Sequence, residues 1–176
     1  MKSILLVGSS IFQEWTQATS LLSNCRIVNQ AVGGTQTADW IYRLTEIIPA
    51  ESPDAVLYYC GSNDLNVDLP LERIMANVME CRLIIRRESP STRFAYFGII
   101  KAPQKVGRWE VIDELNEKIA RALPAGDLYV DTNTLFFQRG EPVKEWFIED
   151  GLHLTKEGYG QLSSFAARRI DKWLNE

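Results

Sequence analysis

The chain has 176 residues, 45% of them hydrophobic and 24% charged, which suits one domain over residues 1–176 with a full core and a cleft. A net charge of −4, with no stripe of Lys and Arg, argues against a nucleic-acid surface. Three widely spaced cysteines, Cys25, Cys60 and Cys81, disfavour a disulfide framework or a zinc site and fit a reducing compartment.

From the start, Ile4 to Val7 is a short apolar run that ends in Gly8-Ser9-Ser10. It is too short for a signal-peptide core, and no stretch of the chain approaches a membrane span, so the expected location is the cytoplasm. The run reads instead as a buried parallel strand with a functional loop at its carboxyl end. A helix is expected from about Phe12 to Leu22, then a second strand over Arg26 to Asn29 and the turn Ala31-Val32-Gly33-Gly34. Thr37 is a candidate cap for a helix carrying Trp40, Ile41, Leu44, Ile47 and Ile48, closed by Pro49 and Pro53.

Ala55 to Tyr59 is the third strand and runs into Cys60-Gly61-Ser62-Asn63-Asp64. A helix follows from near Pro70, then a fourth strand over Arg93 to Ile100 and a loop from Lys101 to Gly107. A helix bearing Val111, Ile112, Leu115, Ile119 and Ala122 precedes a fifth strand, Leu128 to Val130, and a last helix spans about Lys156 to Leu174. Five alternations of strand and helix define an α/β fold, a parallel sheet covered by helices on both faces. In such sheets the loops at the carboxyl ends of the strands line the ligand crevice. The polar clusters at Ser10, Gly34 and Asn63 all fall in loops of that kind.

His153 is the only histidine, so imidazole acid–base chemistry can occur only there. Asp150 lies three residues earlier, where one helical turn brings its carboxylate to one ring nitrogen. The other nitrogen is free for a nucleophile, and Ser10 supplies a hydroxyl at a strand-to-helix turn. Acyl transfer also needs oxyanion donors, and Ser10 N–H, Gly34 N–H and the Asn63 amide are suited to that role. Taken singly, each feature also has a plain structural explanation. A serine pair caps helices, Gly33-Gly34 makes a tight turn, and an aspartate before a helix can cap it.

The four blocks together resemble the SGNH hydrolases, also called GDSL esterases and lipases. Gly8-Ser9-Ser10-Ile11 is similar to the first block, with Ser9 where aspartate is usual and Ser10 in the nucleophile position. Val28 to Thr35 resembles the second, with Gly34 at the oxyanion glycine, and Gly61-Ser62-Asn63-Asp64 the third, with Asn63 as oxyanion amide. Asp150-Gly151-Leu152-His153 resembles the last, which supplies acid and base. The resemblance implies a three-layer α/β/α sandwich with a five-stranded parallel sheet, flavodoxin-like in its layering. It implies a serine esterase with Ser10, Asp150 and His153 as its triad, and neither a metal nor an organic cofactor. The G-x-S-x-G elbow of α/β-hydrolases is absent, because Phe12 stands at its second glycine.

The expected partner is a small-molecule ester with a short acyl group, since no long apolar insertion is present to form a lid; the alcohol part stays open among a sugar, a lysophospholipid and a small metabolite, and a thioester is a further candidate. Trp15, Trp109 and Trp146 are candidate pocket borders, and Lys101 and Arg108 candidate contacts for an anionic substrate. A homodimer would show itself as an exposed apolar patch. Two rival readings are a flavodoxin-like module in which Gly8-Ser9-Ser10 cradles a phosphate, and a catalytically silent interaction protein.

Overall fold

The computed structural model describes residues 1–176. Its centre is a parallel sheet of five strands: β1 Lys2–Gly8, β2 Cys25–Asn29, β3 Ala55–Tyr59, β4 Arg93–Phe97 and β5 Leu128–Val130. The strands lie in the order β2-β1-β3-β4-β5, with Leu6 opposite both Asn29 and Leu57. This is the expected three-layer α/β/α sandwich.

Alternation along each strand sorts the core into two layers. Ile4 and Leu6, Ala55, Leu57 and Tyr59, and Ala95 and Phe97 face one side. Leu5 and Val7, Val56 and Tyr58, and Phe94 and Tyr96 face the other. The first side is covered by α1 (Ser10–Gln13), α6 (Asn133–Phe136) and α7 (Lys156–Asn175), which contribute Phe12, Phe136, Leu162, Ala166 and Ile170. The second is covered by α2 (Thr37–Glu51), α4 (Leu71–Glu88) and α5 (Trp109–Ala122), through Trp40, Leu44, Ile74, Val78, Ile112 and Leu115. A further short helix, α3 (Ser62–Asn66), follows β3 directly.

From β1 the chain moves to one side for β2 and to the other for β3. The strand order therefore reverses at β1, and by the general rule for such sheets the ligand crevice belongs beyond the carboxyl ends of β1 and β3. Ser10 and Asn63 stand at those two ends.

Several local expectations are corrected. The helix expected over 12–22 is two pieces, α1 and a 3₁₀ turn over Thr16–Ser20. Here Thr19 and Ser20 hydroxyls donate to the carbonyls of Thr16 and Gln17, which competes with a regular helix. In α2 the cap is Gln36, in a reciprocal box with Asp39, and Thr37 is the first helical residue. Pro49 lies inside α2 rather than ending it; the helix closes at Ser52, in the left-handed region at φ 46°. Strand β4 stops at Phe97 because the Asn116 side chain, from α5, takes over the Ile99 N–H and C=O at 2.8 and 2.9 Å. A small hairpin, β6 (Phe137–Gln138) with β7 (Glu141–Pro142), had no counterpart in the expected elements. No helix is long and apolar enough to cross a membrane.

Candidate active site

Gly8 sets the position of everything that follows β1. Its φ is +131°, and a Cβ there would lie 1.9 Å from the Tyr59 carbonyl oxygen, so only glycine fits. The next residue, Ser9, is buried, and its N–H donates to that same carbonyl at 2.9 Å. Ser9 is thus fixed inward, and Ser10 turns into the crevice as the first residue of α1. At that position a backbone N–H has no acceptor within its helix.

Ser10 Oγ lies 2.9 Å from His153 Nε2, and His153 Nδ1 lies 2.5 Å from Asp150 Oδ2. The sequence brings Asp150 and His153 together by a different route from the one expected. They do not share a helical turn; residues 150–153 form a tight turn with Gly151 at φ +69°. Asp150 Oδ1 accepts from the backbone N–H groups of Leu152 and His153, each at 2.9 Å, which leaves Oδ2 for the imidazole. The hydrogen bond to His153 holds the Asp150 carboxyl down at about 2, helped by those two backbone donors and opposed by partial burial. Capping of α7 falls to Thr155, whose side chain accepts from Gly158 N–H.

The turn after β2 borders Ser10 from the other side. Val32 N–H donates to the Gly8 carbonyl at 2.8 Å, and Gln13 Oε1 accepts from Gly33 N–H. Gly34, at φ +78°, follows with its own N–H donating to no protein atom. Asn63 on α3 donates through Nδ2 to the Thr35 carbonyl at 2.9 Å, which uses one of its two amide hydrogens. Ser10, Gly34 and Asn63 therefore sit on three segments that are hydrogen-bonded to one another.

Asp64 anchors α3 beneath them. It is fully buried, and its carboxylate accepts from Thr37 N–H at 3.1 Å and from the Thr37 hydroxyl at 2.5 Å. Burial raises its pKa, and the Thr37 donors work against that rise. Asn77 closes the group by donating to Thr37 Oγ1 at 3.0 Å.

The remaining candidates lie elsewhere or are committed elsewhere. Trp15 is completely buried and donates to Ser163 Oγ at 2.9 Å, so it packs the core and cannot border a pocket. Lys101 is paired with Asp113 at 2.9 Å over the face of Phe137, and Arg108 with Asp68 at 2.8 Å. Trp109 donates to the Ala102 carbonyl and packs edge-on to Phe137; Trp146 packs edge-on to Phe136. Neither Lys101 nor Arg108 offers a free charge to an anion.

Three residues at the site carried no motif. Gln13 holds the Gly33 turn, Lys105 donates to the Ser62 carbonyl and Asn66 under α3, and Glu14 Oε1 lies 3.9 Å from His153 Nε2. Gln13 and Glu14 stand three and four residues after Ser10, and that helical spacing was the one signal that could have pointed to them.

Fold and crevice together define an α/β sandwich with a hydroxyl, an imidazole and a carboxylate in one hydrogen-bonded row. Residues 7–161 match the model of the GDSL-like lipase/acylhydrolase family. An arylesterase of Vibrio mimicus is 23% identical over 150 residues, covering 84% of this chain and 71% of its own length. Two crystal structures share the fold. A GDSL-like lipase from Bacteroides thetaiotaomicron has a TM-score of 0.82 at 17% identity, covering 97% of this chain and 88% of that one. Esterase EstA from Pseudoalteromonas, solved inhibited by monoethylphosphonate, has a TM-score of 0.76 at 17% identity over the whole of both chains. This chain belongs to the GDSL-like lipase/acylhydrolase family and is a hydrolase of ester bonds. That membership replaces the phosphate-cradle reading of Gly8-Ser9-Ser10.

Proposed function

We propose that the protein is a serine esterase that cleaves short-chain, in particular acetyl, esters through an acyl-serine intermediate. The observation that carries the proposal is the row from Ser10 Oγ to His153 Nε2 to Asp150, at 2.9 and 2.5 Å. With the ring proton on Nδ1, facing Asp150, Nε2 accepts the Ser10 hydroxyl proton as Oγ attacks the ester carbonyl. Asp150 stabilises the imidazolium so formed.

The negative charge on the carbonyl oxygen is met by Ser10 N–H, Gly34 N–H and Asn63 Nδ2. Collapse breaks the bond to the alcohol, which leaves with the proton from Nε2. Water then repeats the sequence: Nε2 takes its proton, its oxygen attacks the acyl carbon, and Ser10 departs reprotonated.

Hydrolysis of p-nitrophenyl acetate tests this reading. Wild type and Ser9→Ala are expected to turn over, and Ser10→Ala to fall by at least about 1000-fold. An alkylphosphonate probe should add mass to the peptide containing Ser10 and to no other. Equal rates in wild type and Ser10→Ala would remove the mechanism.

A further inference from the structure

The cations and the carboxylates around the crevice are in opposite situations. Lys101 is taken by Asp113, Arg108 by Asp68 and the Leu65 carbonyl, and buried Lys105 by the Ser62 carbonyl and Asn66. Glu14 is free. It follows α1 directly, its N–H donating to the Ser10 carbonyl at 2.9 Å, so its side chain starts one turn beyond the nucleophile. Its carboxylate forms no ion pair with any lysine or arginine, is half exposed, and lies 3.9 Å from the same Nε2 that meets Ser10. Asp150, on the other side of the imidazole, has both oxygens of its carboxylate already engaged, Oδ1 by two backbone donors and Oδ2 by His153. Glu14 thus places an unpaired negative charge beside the reacting hydroxyl.

We propose that Glu14 is a specificity-determining residue that turns the crevice toward esters with a neutral or cationic alcohol and away from anionic ones. This deepens the esterase reading and rests on Ser10 and His153 acting as described there. A carbonyl in attack position lies about 3 Å from Ser10 Oγ, so a charge at the far end of a leaving alcohol the size of a phenol can lie about 10 Å from Glu14. At that range, between the dielectric of a protein surface and that of water, each unit of charge changes the rate constant by about fourfold, so a cation and an anion differ by about tenfold or more. The same contact falls off as salt shortens the screening length.

Three aryl acetates that differ only at the para position test the proposal: phenyl acetate, 4-acetoxybenzoate and 4-(trimethylammonio)phenyl acetate, each normalised to its hydroxide-catalysed rate and each compared with itself across the protein variants. In wild type, kcat/KM for the cationic ester should exceed that for the anionic one by about tenfold or more at low salt. The ratio should fall toward one in Glu14→Gln, invert in Glu14→Lys, and shrink in wild type at 0.5 M salt. A ratio that is the same in all three proteins overturns the proposal. So does a Glu14→Gln loss that is equal for the three esters and moves with the pH profile, because Glu14 would then be positioning His153. Ser10→Ala run on phenyl acetate separates the two layers. If Ser10 is dispensable the esterase mechanism falls, whereas a Ser10-dependent but charge-blind enzyme removes only the role of Glu14.

Discussion

The N–H of Gln104 donates to the carbonyl of Gly151 at 2.9 Å, and this bond joins the loop after β4 to the turn that carries Asp150 and His153. One residue on, Lys105 reaches α3, which carries Asn63. The segment from 103 to 108 thus braces both halves of the crevice from below.

Gly151→Ala tests the first half of that brace. At φ +69° a side chain is strained by about 1–2 kcal/mol, and its Cβ would press on Gln104 N and Pro103 Cβ, both at 3.3 Å. The melting temperature should drop by a few degrees, with a larger proportional loss in kcat than in KM. Unchanged kcat in a folded variant would show that the turn tolerates displacement.

Lys105→Met tests the second half. The ammonium is buried, has no carboxylate partner, and is pushed down in pKa by burial first and by Arg108 second. Methionine fills similar volume but leaves the Ser62 carbonyl and Asn66 without their donor. We expect kcat for p-nitrophenyl acetate to fall about tenfold, as α3 and its amide lose their anchor. Circular dichroism on the same sample separates that effect from unfolding; a fully active variant would refute it.

Asp150→Asn should cost about 10³–10⁴-fold in kcat, since asparagine no longer favours the proton on Nδ1. The substitution also has an acid signature. The native carboxyl, held at about 2, loses its proton more readily than in the unfolded chain. Its stabilising contribution is complete above the ordinary carboxylate range and is lost as pH falls through about 2. Melting curves of wild type and variant should therefore converge between about pH 4 and pH 2, from a small gap, because the group is partly solvated.

Asp64 has the opposite sign. Its raised pKa means that the folded protein binds that proton more tightly than the unfolded chain does. Its contribution to stability therefore grows as pH falls and is lost as pH rises through the folded value. Asp64→Asn removes the titration, so wild type should lose melting temperature relative to the variant as pH rises from the ordinary carboxylate range, about pH 4, to pH 8. A gap independent of pH would show that Asp64 does not titrate across that interval.

The strands were legible in the sequence because buried parallel strands are unbroken apolar runs, as in Ile4–Val7 and Ala55–Tyr59. The polar residues placed after them had nowhere to go but the crevice. What escaped is long-range or local in ways that periodicity does not encode. Trp15, a candidate pocket border in the sequence, completes the core against α7 with its indole. The Asp150–His153 contact comes from a turn around Gly151, because side-chain capture of two backbone N–H groups replaces the helical turn. The hairpin over 137–142 did carry a signal, since Arg139-Gly140 provides two successive left-handed residues between extended pairs. Glu14 and Lys105 are single charges whose roles depend on segments distant in the chain.

Ser10 and His153 stand 143 residues apart and meet side by side. During synthesis the imidazole is added 143 residues after the hydroxyl that it meets. A nascent chain therefore holds Ser10 without its imidazole partner until the turn carrying His153 has been made and has folded beside α1.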